Sequence, residues 1–342
     1  MKVPPTSTPR IATRASLGKS GGGHSVQRHV SERAEIRLVG AGGEPVDLPR
    51  TLASHGFADL TPHRLDEEAR TLETTFAFGR GARTVRISAG RRGYARVESL
   101  GKPFGRDRDR VLAVVAHVLR LDEDLSPFYG LAASDPALDW VTKGAGRMLR
   151  SPTVFEDVVK TICTTNCAWS GTVRMVGALV ANLGPEDRAT GRHAFPSPEA
   201  MAEADESFYR DVARAGYRGA YLRTLAASVA EDTLDLEELA ARNSPDLPDD
   251  VVLERLLALP GVGPYAAAHV MMLLGRYSRI VFDSWTRPTY AKVTGVRKTV
   301  ADRTIERRFR RYGRYAGLAF WLVLTRSWVA EEGPAARASA PS

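Results

Sequence analysis

The sequence is poor in the side chains that build metal centres and disulfide frameworks. Its 342 residues include two cysteines, Cys163 and Cys167, and seven histidines without a pair at metal-ligand spacing. Two cysteines cannot form a disulfide framework, and they cannot supply the four thiolates of a structural zinc or iron–sulfur site. We therefore expect no tightly bound transition metal.

Long apolar runs are also missing. No stretch approaches the roughly 20 apolar residues that span a bilayer. The basic residues near the amino terminus, such as Lys2 and Arg10, are not followed by the apolar segment of a secretory signal peptide. These absences predict a cytoplasmic protein without a membrane partner. The formal net charge of +8 favours a polyanionic partner, although charge alone does not separate nucleic acid from an acidic membrane surface.

Alternation of apolar and polar residues marks the amino-terminal part of the chain. Residues 1–33, rich in Ser, Thr, Pro, Gly and Arg, predict a disordered basic tail. Between residues 34 and 124, alternating segments such as Glu35–Val39, Thr71–Phe78 and Thr84–Ser88 predict an antiparallel sheet with one covered face, followed by a helix.

The rest of the chain has the apolar periodicity of helices. Helical spacing runs through residues 125–330, and residues 331–342 predict a second disordered tail. Gly and Pro separate the predicted helices, which are Val154–Leu183, Pro198–Ala215, Ala220–Ala230, Val251–Leu259 and Pro264–Leu274. The predicted fold class is therefore α+β, with a small antiparallel β domain at the amino terminus followed by an all-helical domain.

A turn between two of these helices has the composition of an anion-binding hairpin. The sequence Leu259-Pro260-Gly261-Val262-Gly263-Pro264-Tyr265 ends one helix and begins the next at a proline, whose missing N–H is tolerated there. Gly261 and Gly263 permit positive φ and keep side chains away from the tip. Free N–H groups at the new helix start favour an anion such as a DNA phosphate. A purely structural turn between two helices is the alternative.

An aspartate follows this hairpin at the end of a short apolar run. Ile280-Val281-Phe282 leads to Asp283, after a helix of small residues that begins at Pro264. The combination resembles the motif of the helix-hairpin-helix DNA glycosylases, over about residues 46–329. It is similar to two-domain members such as the alkylation-repair glycosylase AlkA and 8-oxoguanine glycosylase. In that family an aspartate at this motif position is catalytic, which makes Asp283 the predicted catalytic residue.

The chemistry of base release explains why a carboxylate is needed. Breaking an N-glycosidic bond builds positive charge on the sugar, and a fixed carboxylate stabilises that charge and directs the attacking water. The alternative is that Asp283 only caps the next helix. Pro288 is unsuited to a helix that starts directly after Asp283, so we expect that helix to begin later or to be kinked.

The residue two positions after the last hairpin glycine distinguishes two kinds of chemistry. The resemblance implies that bifunctional members carry a lysine there, which attacks the sugar and forms a Schiff base. This sequence has Tyr265 at that position. Tyrosine cannot form an imine, so the sequence predicts a monofunctional enzyme that uses water. The alternative, a bifunctional enzyme, requires another amine such as Lys292 in place of the missing lysine.

The resemblance assigns further residues to DNA. Asn166 falls where the family inserts a side chain into the duplex to fill the gap left by the flipped base, although a helix cap is the alternative. Trp285 and Trp321 are candidates for stacking on the flipped base, with burial in the core as the alternative. The predicted DNA contacts are Gly261, Val262, Gly263, Pro264, Tyr265, Asn166 and Arg287.

Together these residues predict a monofunctional DNA glycosylase that releases damaged bases, namely alkylated purines of the 3-methyladenine type, in base-excision repair. A glycosylase for oxidised or deaminated bases is one alternative, and a non-catalytic DNA-binding protein is another. We expect a monomer, associated with the nucleoid, whose partner is double-stranded DNA with a damaged base. The predicted hydrolysis needs no organic cofactor, and the resemblance allows a monovalent cation at the hairpin.

Overall fold

The computed structural model describes residues 31–241, 246–296 and 300–329. Their amino-terminal part forms a five-stranded antiparallel sheet with the strand order β1-β5-β4-β3-β2. The strands are β1 (Glu32–Arg37), β2 (His63–Asp66), β3 (Thr71–Phe78), β4 (Gly81–Ala89) and β5 (Tyr94–Ser99). The alternating segments of the sequence thus form strands, because alternation places one set of side chains on each face.

Helices α1 (Leu48–Leu52) and α2 (Arg108–Val118) pack with the sheet. The apolar side chains of the sheet share one buried core with α2, which includes Leu72, Val85, Ile87, Val97, Val111, Val115 and Val118. Burying each such side chain stabilises the fold by about 1.5–3 kcal/mol. The opposite face is not open as expected, because Thr84 of β4 donates a hydrogen bond to Asp187 at 2.7 Å. Asp187 belongs to a small hairpin of β6 (Glu186–Asp187) and β7 (Arg192–His193).

The disordered amino-terminal tail predicted for residues 1–33 is wrong at its carboxyl-terminal end. Glu32 and Arg33 lie in β1 and pair with the end of β5. Arg33 also forms an ion pair with Glu98 at 3.4 Å. Strand β1 thus extends by two residues into a polar segment. Hydropathy does not reveal this extension, because the added residues are charged. Residues 1–30 and 330–342 lie outside the described residues, so the predictions for them stay predictions.

The carboxyl-terminal part is helical apart from the small hairpin. Its helices are α3 (Ser126–Ala132), α4 (Val154–Thr164), α5 (Trp169–Leu183), α6 (Pro198–Glu203), α7 (Arg218–Ala230), α8 (Asp249–Leu257), α9 (Pro264–Leu273), α10 (Thr286–Thr294), α11 (Asp302–Phe309) and α12 (Ala316–Thr325). This order confirms the predicted α+β class, in which a small antiparallel sheet precedes a mostly helical region.

Helix α9 lies between the two cores of the helical part. Ala267 and Val270 belong to a core shared with α4, α5, α7 and α8. Ala268 and Met272, on another side of the helix, belong to a core shared with α3, α11 and α12. A helix that is buried on all sides has to be apolar around its circumference, which explains the small and apolar residues that follow the hairpin.

Two predicted helices are interrupted. Val154–Leu183 consists of α4 and α5, joined by a loop in which Asn166 has a φ of +45°. Pro198–Ala215 consists of α6 and a separate π-helical turn, Phe208–Val212. The Asp205 carboxylate accepts the N–H of Phe208 at 2.7 Å and marks the start of that turn. Apolar spacing continues across both breaks, so periodicity alone cannot detect them.

One segment of the β domain contacts the helical cores directly. Phe57 packs in the same core as α4 and α9. Trp321 of α12 donates its indole N–H to the Ser54 carbonyl at 2.8 Å. These contacts place residues 54–57 beside α12, which carries Trp321 of the predicted base pocket, and beside α9, which begins at the end of the hairpin.

Candidate active site

Asp283 lies just before helix α10 and holds the helix start with one of its two oxygens. Its Oδ1 accepts hydrogen bonds from the N–H groups of Trp285 at 2.7 Å and of Thr286 at 2.6 Å. In return, the Thr286 hydroxyl accepts the N–H of Asp283 at 2.9 Å. Because α10 begins at Thr286, Pro288 lies in its first turn, where a missing N–H leaves no helical bond unmade. The N-cap position of α10 is Trp285, so Asp283 is not the N-cap residue, and it holds the helix start with one oxygen only.

The other oxygen of Asp283, Oδ2, is buried and has no hydrogen-bond partner among the described residues. Burial raises the pKa of this carboxyl, while the N–H groups of Thr286 and Trp285 oppose the rise. A buried polar atom without a partner opposes folding, so its presence calls for an explanation. Such an oxygen can stabilise a neighbouring cation or accept a proton from water.

The hairpin between α8 and α9 has an open tip. Gly261 has a φ of +77°, and a Cβ there would lie 2.7 Å from the ring of Tyr221, so both conformation and space require glycine. Gly263 has a φ of −97° and is exposed. A Cβ at Gly263 would meet no atom within 4 Å, so the fold does not itself require glycine there. The N–H groups that open α9 have no acceptor within the helix and attract an anion.

Tyr265, the second residue of α9, is a neutral phenol beside Asp283. Burial raises the pKa of Tyr265 to about 12, and the Asp283 carboxylate also raises it. The hydroxyl lies 3.4 Å from the Thr164 hydroxyl, and the ring stacks on His269 with 6.0 Å between centroids. Tyr265 therefore connects the hairpin to the pocket described next.

Aromatic side chains line a small pocket, of about 20 Å³, which Asp283 approaches through its neighbour Trp285. Trp285 and Trp321 lie 5.6 Å apart between ring centroids. Trp328 lies 5.4 Å from Trp285 and 5.9 Å from Trp321. Trp321 is only 4% exposed, so it is a core residue as well as a pocket residue. The residues around the pocket are His55, Gly56, Phe57, Thr164, Trp169, Tyr265, His269, Trp285, Trp321 and Trp328.

Two parts of this pocket carry no motif in the sequence. Residues 55–57 come from a turn of the β domain, and Trp328 comes from the last described turn of the chain. Arg50 holds that turn, because it donates hydrogen bonds to the carbonyls of Arg326 at 3.1 Å and Val329 at 3.3 Å. The sequence alone could reveal neither part, because Arg50 and the two carbonyls to which it donates lie more than 270 positions apart in the chain.

Asn166 is exposed in the loop between α4 and α5. Its Nδ2 donates to the Tyr217 hydroxyl at 3.2 Å. It is not the N-cap of α5, a position that Ala168 occupies. Tyr217 is 54% exposed, and its ring lies 5.9 Å from that of Tyr221, which packs against Gly261 at the hairpin. The loop, the two tyrosines and the hairpin tip thus adjoin one another, although no motif had singled out Tyr217 for a DNA contact.

Arg287 is paired within the chain. Its guanidinium donates to both carboxylate oxygens of Asp302, at 2.9 and 2.8 Å. A third N–H donates to the backbone carbonyl of Asp283 at 3.2 Å. Arg287 therefore supports the backbone at Asp283, and its predicted DNA contact stays a prediction.

The described residues contain neither a metal-binding cluster nor a membrane-spanning helix. Within 31–241, 246–296 and 300–329, no group of three or more His, Cys, Asp or Glu side chains could hold a metal ion. No helix in these ranges is long and apolar enough to cross a membrane. Cys163 is buried, Cys167 is exposed, and both are free thiols.

Solved structures with a similar fold are DNA glycosylases. The 3-methyladenine DNA glycosylase from Archaeoglobus fulgidus aligns with a TM-score of 0.66 at 20% identity, covering 87% of this chain and 100% of that chain. The apo form of the 8-oxoguanine glycosylase/lyase of Clostridium acetobutylicum aligns with a TM-score of 0.60 at 20% identity, covering 79% and 92%. The chain has the fold of these glycosylases. No protein-family model matches it.

Two proteins of Bacillus subtilis (strain 168) are similar in sequence over part of the chain. YfjP, whose name assigns it provisionally to the DNA-3-methyladenine glycosylases, is 31% identical over 91 residues, which is 26% of this chain and 30% of that protein. A DNA-3-methyladenine glycosylase is 24% identical over 174 residues, which is 50% of this chain and 56% of that protein. The chain thus spans between about a third and about half of the length of these relatives.

Proposed function

We propose that this protein is a monofunctional DNA glycosylase that hydrolyses the N-glycosidic bond of a damaged base in duplex DNA. The observation that carries the proposal is Asp283, whose Oδ1 is held by the start of α10 while Oδ2 is buried without a partner in the described chain. Trp285, whose N–H donates to this carboxylate, lines an aromatic pocket. The similar fold of known glycosylases and the names of the sequence relatives support the same assignment.

The reaction needs a fixed anion close to the sugar. As the bond between the base and C1′ breaks, the base leaves with the bonding electrons and positive charge develops on the deoxyribose. Asp283 Oδ2 stabilises that charge, and burial strengthens the attraction because little water screens it. A water molecule then attacks C1′ and gives its proton to Asp283, which leaves an abasic sugar with a new hydroxyl.

Because Tyr265 stands where a lyase has its lysine, base release is not followed by strand cleavage. Its phenol cannot form an imine with the sugar, and its pKa of about 12 keeps it protonated at neutral pH. Lys292 of α10 is exposed and borders a different pocket, on another side of Trp285 and Trp328. Water is therefore the nucleophile, and the strand stays intact after the base has left.

We assign alkylated purines of the 3-methyladenine type as the substrate class. Alkylation gives the base a positive charge, and a cationic base binds favourably against the faces of rings such as Trp285 and Trp328. The same charge makes the base a good leaving group, so a single carboxylate suffices. Oxidised and deaminated bases carry no such charge, and their recognition requires specific hydrogen bonds to the base edge.

The hairpin is the proposed phosphate clamp. Gly263 and Pro264 are exposed at its tip, where the α9 dipole favours an anion. Val262 is buried, and its N–H donates to the Leu259 carbonyl at 3.2 Å. Val262 therefore stabilises the turn. Asn166, with Tyr217 beside it, is the proposed wedge that replaces the flipped base in the stack.

A monovalent cation at the hairpin belongs to the same proposal. Backbone carbonyl oxygens of the turn would hold it, and the Leu259 carbonyl, which accepts the Val262 N–H, has a second lone pair for this purpose. The cation would supply additional positive charge for the phosphate.

Base release from methylated duplex DNA tests the proposal. The wild-type protein should release methylpurines, and strand breaks should appear only after alkali, which cleaves abasic sites. Asp283→Asn keeps an oxygen for the α10 N–H groups but has no negative charge, so it should release no base and still bind an abasic-site analogue. Binding should weaken steeply with salt, because phosphate contacts release counterions.

The other outcomes of this experiment are equally informative. Loss of both release and binding in Asp283→Asn contradicts a catalytic role for the carboxylate. Release of only oxidised or deaminated bases changes the substrate class. Binding without release from any damaged duplex favours a non-catalytic DNA-binding protein, and breaks before alkali indicate a lyase, for which Lys292→Ala is the next variant.

A further inference from the structure

His269 forms part of the wall of the aromatic pocket, one helical turn after Tyr265 in α9. It is 6% exposed. Its ring packs edge-on against Phe57, with 4.9 Å between centroids, and parallel to the ring of Tyr265. These neighbours hold the imidazole in one orientation, so the role of each ring nitrogen follows from the groups around it.

Nδ1 of His269 carries a proton. This nitrogen lies 3.4 Å from the Thr161 hydroxyl. The Thr161 hydroxyl donates its single proton to the Asp157 carbonyl at 2.7 Å, so its oxygen can only accept from the histidine. The contact therefore requires the tautomer in which Nδ1 bears the hydrogen.

Nε2 of His269 is consequently an acceptor. Burial lowers the pKa of His269 to about 3, and the nearby ring of His55 lowers it further. A neutral imidazole with its proton on Nδ1 presents a lone pair on Nε2. The only hydrogen bond of His269 among the described residues is the one to Thr161, so this lone pair is open.

His55, the second histidine of the pocket, has hydrogen-bond partners at both ring nitrogens. Nε2 of His55 lies at hydrogen-bond distance from the Leu149 carbonyl, and Nδ1 accepts the N–H of Phe57 at 3.3 Å. Both nitrogens of His55 are thus engaged in holding the backbone. His269 is the pocket histidine that can hydrogen-bond to a ligand.

We propose that Nε2 of His269 accepts a hydrogen bond from the base in the pocket and thereby selects bases that present an N–H donor at that edge. This inference rests on the proposed function, because it takes the aromatic pocket as the site of the flipped base. An alkylated adenine has such a donor in its 6-amino group, and its positive charge strengthens the hydrogen bond. A base such as 1,N6-ethenoadenine, whose N6 carries no hydrogen, places an acceptor against the lone pair.

The protonation state can be tested without any reaction. In the full-length protein labelled with 15N-histidine, the His269 signals are assigned by their absence in His269→Gln. At pH 7, Nδ1 should have the shift of a protonated ring nitrogen and Nε2 that of an unprotonated one. Thr161→Val, which removes the acceptor of Nδ1, should shift the population toward the other tautomer, and Thr161→Ser should restore it. A protonated Nε2 in the wild-type protein overturns the proposal.

The selectivity is tested by binding of the free bases 3-methyladenine and 1,N6-ethenoadenine, followed by quenching of tryptophan fluorescence. His269→Phe keeps an aromatic ring and removes the acceptor. It should weaken binding of 3-methyladenine by roughly twofold to tenfold, the factor for one uncharged hydrogen bond, and should strengthen binding of 1,N6-ethenoadenine, because the repulsion between the two acceptors is removed. His269→Gln, whose amide oxygen can replace the lone pair, should recover part of the preference. Trp169→Phe, a change in the same wall that removes no acceptor, should weaken both bases equally.

The same variants are then compared in base release from duplexes with a single 3-methyladenine or 1,N6-ethenoadenine. Selective binding that depends on His269, without release by the wild-type protein, supports this inference and contradicts the proposed function. Release by the wild-type protein with the same ratio between the two bases in His269→Phe overturns this inference and leaves the proposed function intact.

Discussion

Asp283 and Thr286 hydrogen-bond to each other in both directions. The Thr286 N–H donates to Asp283 Oδ1 at 2.6 Å, and the Asp283 N–H donates to the Thr286 hydroxyl at 2.9 Å. Thr286 is fully buried, so water does not compete with either bond. The pair fixes one carboxylate oxygen, while the other has no hydrogen-bond partner among the described residues, and the proposed chemistry depends on this difference.

The first prediction concerns Thr286 as a positioning residue. Thr286→Val leaves the N–H of Asp283 without its acceptor, which should lower the free energy of unfolding by about 1–3 kcal/mol. The backbone that carries the carboxylate should also be held less firmly, so the single-turnover rate of base release should fall by at least tenfold while DNA affinity stays unchanged. Thr286→Ser should restore the rate.

Thr294→Val is the matched control for Thr286→Val. It removes a hydroxyl that donates to the Tyr290 carbonyl at 2.7 Å in the same helix, far from Asp283. It should leave the release rate unchanged. Equal losses of rate in both valine variants would show that α10 as a whole, and not the Asp283–Thr286 pair, determines the rate.

The second prediction concerns the pH dependence of stability in Asp283→Asn. Burial raises the folded-state pKa of Asp283, so the unfolded state loses this proton at a lower pH than the folded state does. Ionisation therefore reduces the stability of the wild-type protein as pH rises from the unfolded pKa through the raised folded pKa. Asp283→Asn should be more stable than wild type at pH 7.5, and the difference should disappear toward pH 3. Melting temperatures at both pH values measure it.

Asp302→Asn provides a control with the opposite sign. The hydrogen bonds from Arg287 lower the pKa of Asp302, so its ionised form stabilises the fold above the unfolded pKa and that contribution is lost as pH falls through the lowered folded pKa. Asp302→Asn should therefore be less stable than wild type at pH 7.5. A stabilisation of Asp283→Asn that is the same at pH 3 and pH 7.5 would exclude the buried charge as its cause.

The third prediction assigns different roles to the two hairpin glycines, DNA binding to Gly263 and stability of the turn to Gly261. Gly263→Ala should leave the melting temperature unchanged, because its φ is ordinary and a Cβ would meet no atom within 4 Å. It should nevertheless weaken binding to duplexes of any sequence, because the methyl group occupies space at the proposed phosphate site. Gly261→Ala should lower the melting temperature, since its φ is +77° and Tyr221 is too close. Unchanged DNA affinity in Gly263→Ala contradicts the clamp.

The fourth prediction concerns Arg50, which holds the turn that carries Trp328. Arg50→Ala removes the hydrogen bonds to the carbonyls of Arg326 and Val329, so Trp328 should lose its fixed place in the pocket. Acrylamide should then quench tryptophan fluorescence more strongly, and the release rate should fall several-fold. Arg33→Ala, in an exposed ion pair with Glu98 on the sheet, is the control and should change neither quantity. Equal quenching in both variants would refute the role of Arg50.

Some features of this protein follow from short stretches of sequence. The hairpin turn depends on the φ of Gly261 and on a proline at the start of α9, both of which are local properties. The strands depend on alternation, which has a period of two residues. The position of Asp283 at the end of an apolar run can be read from the three residues before it. Periodicity and turn chemistry act over such distances, so the sequence alone predicts these features.

Other features depend on which residues the packing brings together. Trp328, residues 55–57 and the acceptor nitrogen of His269 enter the pocket through contacts with distant parts of the chain, as in the hydrogen bond from Trp321 to Ser54. The break between α4 and α5 is hidden in the sequence because apolar spacing continues across it.

The sequence by itself therefore determined the class of fold and the hairpin, because each is encoded by residues close together in the chain, and its resemblance to the helix-hairpin-helix glycosylases singled out Asp283 as the candidate carboxylate. Only the tertiary structure decided which oxygen of Asp283 is left unpaired, that Arg287 is engaged by Asp302, and what surrounds the base pocket. The physical reason is that hydrogen-bond partners, burial and the pKa shifts that follow from burial are properties of three-dimensional neighbours, and no local pattern specifies them.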